Sequence, residues 1–330
     1  KLSVVGSEFR AGFDGEDIEG AIRYTSNESS GDSLSAEFER LVLGDPVSTG
    51  MDMETDPSQL PAVHFYVRSL SYLGIELGET RIEAYPAGDG FHFEMMDAKS
   101  PSLSVEASGD WTLAEDGHRS DFSIRMVSES LGDFLQTMDI SSSLQGGQTM
   151  VNFDAWWPGA PGAFALSRLN GQIDFSAVQG NISNASAGPG RLLGLLSIQA
   201  LPKRLSLDFR DVFDSGFSFD EASGTFSLEN GIAQTDDMAL KSSAAMISVS
   251  GRTNLVDQQY DQLITIKPGV GNTLPIIGAL AAGPAGAAAG LSLQGLLHKP
   301  LAEATQVRYS ITGSWDDPLI EPVEVERVEE

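Results

Sequence analysis

Arg204-Leu-Ser-Leu-Asp-Phe-Arg-Asp-Val-Phe-Asp-Ser-Gly-Phe-Ser-Phe-Asp220 alternates oily and wet side chains with a period of two. Leu205, Leu207 and Phe209 fall on one side, and Ser206, Asp208 and Arg210 on the other. After a short Asp/Ser/Gly turn, Phe217 and Phe219 resume the alternation. Successive strand side chains point to opposite faces, so this text predicts a half-buried β-strand. The same grammar recurs along the chain. Val63, Phe65 and Val67 alternate with polar neighbours, as do Phe91, Phe93 and Met95, then Leu103, Val105 and Ala107. Phe122, Ile124 and Met126 follow, then Val151, Phe153 and Ala155, then Ile173 and Phe175. The last third adds Phe226 and Leu228, Ile247 and Val249, Ile264 and Ile266, and Val307, Tyr309 and Ile311. Short strands with turn residues between them predict an all-β chain with one long apolar face.

Glycine is placed by a rule. Ile18-Glu-Gly-Ala-Ile22, Ala107-Ser-Gly-Asp-Trp111, Leu169-Asn-Gly-Gln-Ile173, Ala222-Ser-Gly-Thr-Phe226 and Ile311-Thr-Gly-Ser-Trp315 share one phrase, with a weaker copy at Val249-Ser-Gly-Arg-Thr253. Glycine within a strand marks a bulge, a bend or a close backbone approach. Repeated at matching points of neighbouring strands, it predicts a sheet that curls strongly. The copies are unevenly spaced, which argues against a fixed-period solenoid.

Three segments leave the strand pattern. Ser130 to Met138 places Leu131, Phe134, Leu135 and Met138 at helical spacing behind a capping box. The proline-bracketed run at about 189–202 predicts a second amphipathic helix, with Leu192, Leu195, Leu196 and Ile198 as a gate or cap. From 270 to 297 no charged residue occurs, and Leu274, Ile276, Ile277, Leu280, Leu293 and Leu296 sit in a Gly/Ala background. That run reaches the length of a membrane span, but Pro275 and Pro284 interrupt it. A helical hairpin over about 272–298 that caps the sheet, a tip contacting a membrane or partner, and a true span are the three readings. The Trp156-Trp-Pro-Gly-Ala-Pro-Gly162 stretch reads as a corner between 1–155 and 156–323, and 324–330 as an acidic tail.

Composition excludes several functions. Of the 330 residues, 47 are Asp or Glu and 20 are Lys or Arg, a net charge of -27. Such a surface repels phosphate backbones, which excludes nucleic acid as a partner. Cysteine is absent, so disulfides, thiolate catalysis and cysteine-held metals are excluded. The four histidines stand apart from one another and form no metal motif. Gly188-Pro-Gly-Arg-Leu-Leu-Gly194 lacks the Lys-Ser/Thr of a phosphate loop. No carboxylate pair is singled out for catalysis. The expectation is a non-enzymatic chain with no cofactor and no metal. It opens without an initiator Met or a leader pattern, and so reads as a fragment or a processed form.

From Trp157-Pro-Gly-Ala-Pro161 to Glu321-Pro322 the chain resembles the C-terminal part of the AsmA-like superfamily, specifically its large YhdP-type members. Gly190-Arg-Leu-Leu-Gly-Leu-Leu-Ser-Ile-Gln-Ala-Leu-Pro202, Arg204-Leu-Ser-Leu-Asp-Phe-Arg-Asp-Val-Phe213 and Gly216-Phe-Ser-Phe-Asp220 carry the resemblance. So do Tyr260-Asp-Gln262, Leu274-Pro-Ile-Ile-Gly-Ala-Leu-Ala-Ala-Gly-Pro284 and Thr312-Gly-Ser-Trp-Asp-Asp-Pro318. The first 150 or so residues match in style alone, and Lys241-Ser-Ser-Ala-Ala245 departs from the family's text. The resemblance implies a protein of the Gram-negative periplasm, tethered to the inner membrane by an N-terminal helix. It implies a mainly β fold: an extended, strongly curled antiparallel sheet forming an apolar groove, with a few short amphipathic helices near the C-terminal end. It also implies a bridge-like carrier of phospholipid acyl chains to the outer membrane, in contact with the outer-membrane surface or with envelope proteins. On that reading Leu205, Leu207, Phe209, Phe217, Phe219 and Phe226 line the groove, together with Leu228, Ile247, Val249, Ile264 and Ile266. An assembly scaffold with its apolar face packed shut, and a β-rich enzyme acting on polysaccharide, are the competing readings.

Overall fold

The computed structural model describes residues 2–5, 7–27, 29, 31–44, 55–72, 74–115, 117–130, 132, 144–182, 217–243, 245–268, 306–315 and 317–323. Among them lie seventeen strands and three single 3-10 turns. The strands are β1 (Leu2–Val5), β2 (Glu8–Asp14), β3 (Ile18–Thr25), β4 (Ser33–Leu43), β5 (Ala62–Tyr72) and β6 (Ile75–Ala87). β7 (Gly90–Lys99), β8 (Leu103–Ala114), β9 (Gly117–Ser128), β10 (Leu144–Pro158), β11 (Asn170–Ile182) and β12 (Phe217–Glu229) come next. β13 (Ile232–Lys241), β14 (Ala245–Asn254), β15 (Gln259–Pro268), β16 (Val307–Ser314) and β17 (Pro318–Val323) complete the set. The mainly β expectation holds. The short amphipathic helices are not borne out among the described residues; the segments at about 189–202 and 272–298 lie outside them, as does nearly all of 131–140.

The chain forms two compact units. The first comprises Lys1–Ser130, Thr149–Asp174 and Leu228–Gly231; the second comprises Leu131–Gln148, Phe175–Ser227 and Ile232–Glu330. In the first unit each of β2 to β9 pairs with the next strand in sequence. All of these pairs are antiparallel except β4–β5, which is parallel and corrects the expectation of a purely antiparallel sheet. A tight turn cannot return the chain for parallel pairing, so a long connection is required. Residues 44–61 supply it, ending in a 3-10 turn (Pro57–Gln59) capped by the Asp56 side chain, which accepts from Ser58 N.

Registers decide which alternation reaches which face. At β7 a bulge between Phe93 and Met96 shifts the phase by one residue. Met96 therefore takes the apolar face, opposite Ile82, while Met95 pairs with Glu83 on the polar side. The plain alternation Phe91, Phe93, Met95 is thereby corrected. A bulge steps the phase without breaking the strand, and sequence periodicity does not reveal where it falls.

Most glycines of the recurring phrase, though not Gly313, sit where a neighbouring strand comes closest. A Cβ on Gly109 would lie 2.3 Å from the Asp121 carbonyl oxygen and 2.5 Å from the Phe122 ring. At Gly20 it would lie 2.3 Å from the Glu37 carbonyl oxygen and 2.5 Å from the Phe38 ring. In both places the phenyl ring of the paired residue lies over the bare glycine, covering backbone that a side chain would otherwise shield.

Candidate functional site

In the first unit the registers lay three mainly apolar rows across the strands, two of them over all nine from β2 to β10 and one over the six from β5 to β10. The central row begins Ala11 (β2), Ile22 (β3), Ala36 (β4) and Phe65 (β5). It continues through Ile82, Met96, Ala107 and Ile124 to Phe153 on β10. Every member is apolar. Ala36 is buried, and all the others are half-buried. Beside it runs a row from Phe13 through Gly20, Phe38, Val67 and Thr80 to Ala98, Val105, Met126 and Val151. On the other side a row passes through Val63, Ala84, Phe93, Gly109 and Phe122 to Ala155. Aromatic contacts bind this floor together. Phe93 and Phe122 lie 5.3 Å apart, Phe122 stacks on Trp157 at 5.5 Å, and Phe38 meets Phe65 at 6.1 Å.

The reverse face of the same strands is polar. Glu106 pairs in register with Asp97 on β7 and Arg125 on β9. His64 contacts Glu83, and His92 Nδ1 lies 2.7 Å from Asp110 Oδ1. These two histidines thus answer neighbouring carboxylates, as surface residues do, whereas His118 Nδ1 accepts from Trp111 Nε1 at 3.1 Å. Arg119 binds Asp121 at 2.7 Å and lies 4.0 Å over the Trp156 ring. Among the described residues no His, Asp or Glu cluster suits a metal ion, and no helix is long and apolar enough to cross a membrane.

The second unit repeats the plan more tightly. Met238, Val249, Ile264 and Tyr309 form one row over β13 to β16, and Leu240, Ile247 and Ile266 form another. Phe219 and Ala222 of β12 and Ala177 of β11 join the same cluster, with Phe175 and Phe226 packed against it. Leu240 is 1% exposed, and Ile247 and Val249 are 4% exposed each. Burial pushes the Tyr309 hydroxyl above its ordinary pKa, since a buried phenolate loses its hydration.

Of the residues expected to line a groove, Phe219, Phe226, Ile247, Val249, Ile264 and Ile266 fall in this one cluster. Leu228 is buried at the β12 end that belongs to the first unit, and Phe217 opens β12. Leu205, Leu207 and Phe209, the gate residues Leu192, Leu195, Leu196 and Ile198, and Leu274, Ile276, Ile277, Leu280, Leu293 and Leu296 lie outside the described residues. The sequence reading assigned no lining role to Phe13, Ile22, Phe38 or Ile82. Their signal was present in the alternation of Phe9, Ala11 and Phe13 and of Ala36 and Phe38. What it lacked was the register that joins them.

An unbroken apolar row, flanked by two more and backed by a polar face, is matched to a ligand that is long, apolar and unspecific along its length. No solved structure matches this chain. Over 220 residues it is 28% identical to the intermembrane phospholipid transporter YhdP of Escherichia coli (strain K12). That match covers 66% of the chain and 17% of the relative, so the chain spans under a fifth of that protein's length. The model of the YhdP protein family matches residues 2–320, nearly the whole sequence, and the chain belongs to that family.

Proposed function

We propose that this chain is a segment of a non-enzymatic phospholipid conduit, in which acyl chains travel along the apolar face of the sheet. The observation that carries the proposal is the central row of the first unit, nine residues deep, wholly apolar and left half-open. A row that served only as core would gain by being sealed. Each acyl CH₂ removed from water contributes about 0.8 kcal/mol, so such a floor holds a chain without any polar contact. Even affinity along the row also lets the chain move on, whereas one tight pocket would trap it. The name of the Escherichia coli relative, an intermembrane phospholipid transporter, supports the same substrate. The place that fits is the periplasm of a Gram-negative envelope, with the longer protein tethered to the inner membrane and this segment working towards the outer one. Outer-membrane or envelope proteins are the partners that this location supplies.

The depth of burial in the second unit favours a second reading for that part. With Leu240, Ile247 and Val249 nearly inaccessible, its face serves as a packed scaffold unless it opens for lipid. Native mass spectrometry of the whole chain, purified gently from a bacterial host, tests both readings. Co-purifying phospholipid that disappears on Phe65→Asp, with the β circular-dichroism signal kept, supports the conduit. Loss on Phe226→Asp extends the conduit to the second unit. A lipid-free wild-type chain, beside a control lipid-transfer protein that retains lipid, refutes the conduit in favour of the scaffold.

A further inference from the structure

The apolar face of the second unit turns polar at the end that carries the β14–β15 turn. In register across the sheet lie Thr235, Gly251, Gln262 and Ile311, and next to them Ala233, Thr253 and Tyr260. Thr235, Thr253 and Gln262 are 3%, 6% and 4% exposed, so three polar side chains are buried where the periodicity calls for apolar ones. Gln262 Nε2 donates to Thr253 Oγ1 at 2.7 Å, but Gln262 Oε1 is buried without a hydrogen-bond partner. Close by, Trp315 stacks on Tyr260 at 5.9 Å and packs against the cluster of Tyr260, Tyr309, Ile311 and Ile320. Its Nε1 is likewise buried and unpartnered. The Arg308 Nε, also unpartnered, belongs to the opposite face, where Arg308 pairs with Thr265.

A buried acceptor and a buried donor left unsatisfied are costly, and a folded chain retains such groups where something else completes them. We propose that Gln262 and Trp315 form a polar subsite, reached when the face of this unit opens for lipid, for the headgroup end of a phospholipid whose acyl chains then lie on the rows of Val249, Ile264 and Ile247. Gln262 Oε1 requires a donor, and Trp315 Nε1 requires an acceptor. A lipid with an ammonium or hydroxyl group beside its phosphate and ester oxygens supplies both. Ethanolamine and glycerol phospholipids meet that demand; a choline headgroup, which carries no N–H or O–H, offers acceptors alone. Two hydrogen-bonding atoms on a mainly apolar face orient the lipid and sort headgroups without creating a tight trap.

This inference rests on the conduit reading, and one experiment separates the two. The whole chain is incubated with vesicles of equal parts dioleoyl phosphatidylethanolamine, phosphatidylglycerol and phosphatidylcholine, re-isolated, and its bound lipid quantified by mass spectrometry. The wild type is expected to prefer the ethanolamine and glycerol lipids by about fivefold or more, the worth of one neutral hydrogen bond. Gln262→Leu removes the orphan acceptor while keeping bulk, and Trp315→Phe removes the donor while keeping the ring on Tyr260. Gln262→Leu is expected to bring the ratio near one with total lipid unchanged, and Trp315→Phe, which removes a donor that all three lipids can use, to lower uptake of all three alike while keeping the ratio, each with the circular-dichroism spectrum intact. A wild type that takes the three lipids equally, a Gln262→Leu variant that keeps the full preference, or a Trp315→Phe variant that loads as the wild type does, overturns the subsite and leaves the conduit standing. A wild type that takes up no lipid overturns both.

Discussion

The two units use one alphabet to build two different surfaces. In the first, the central row from Ala11 to Phe153 is half-buried along almost its whole length. In the second, the matching positions on β13 and β14 are sealed, and polar residues occupy one end of the face. Alternation therefore specifies that a strand has an apolar side, while the degree of closure is set by what the registers bring together. An open floor suits a ligand that slides. A sealed face gives rigidity, and any polar atom trapped in it without a partner is costly.

The largest expected effect tests that contrast directly. Leu240→Ala removes a side chain 1% exposed and is expected to lower stability by about 2–5 kcal/mol, the usual cost of a core truncation. Ile82→Ala, in the half-open row, is expected to cost only about 1–2 kcal/mol, since part of that surface already meets water. Denaturant midpoints and slopes of the two variants would read the difference. Equal costs would erase the distinction between an open and a closed face.

Next comes the glycine rule. Gly109→Ala forces a carbon against the Asp121 carbonyl and the Phe122 ring, and is expected to destabilise by about 1–3 kcal/mol. Gly162→Ala, where nothing lies within 4 Å, is the control and should stay within about 0.5 kcal/mol of the wild type. A neutral Gly109→Ala would mean that the strands tolerate wider spacing at this point. The phrase would then mark flexibility and not close approach.

The smallest effect concerns the β3–β4 connection of the first unit. Tyr24 and Ser26 donate to the Asp32 carboxylate, and these hydrogen bonds hold its pKa below the ordinary value. Because the folded pKa is the lower one, the contribution is present above the ordinary carboxylate range and is lost as pH falls through the depressed value. Asp32→Asn is expected to flatten the acid limb of the stability profile slightly, below the ordinary carboxylate range, and to leave lipid loading unchanged. A variant whose acid limb matches the wild type would show that the carboxylate is not held in this way.

Much of the fold was legible in the sequence because strand periodicity is local. Phe65 and Val67, Ile124 and Met126, and Ile247 and Val249 all reach the face that their alternation assigns. Met95 was misread because a bulge shifts the phase without changing composition. The parallel β4–β5 pair was not legible because alternation marks the faces of a strand and not its direction relative to its neighbour. The polar subsite was half visible. Gln262 interrupts the run Tyr260, Ile264, Ile266 on an inward position, yet only the register with Thr253 and the stacking of Trp315 on Tyr260 give it a chemical meaning.

By itself the sequence determined that this protein is a β chain with one apolar side, a strongly acidic surface and no cysteine chemistry, because side-chain period and composition are properties of the chain. Tertiary structure alone decided that Ala11 and Phe153, far apart in sequence, belong to one continuous row, that the matching rows near the C-terminus are sealed, and which polar atoms remain unanswered inside them. Those properties depend on hydrogen-bond register between strands distant in sequence, and a slip of one residue would turn every side chain of a strand to the other face.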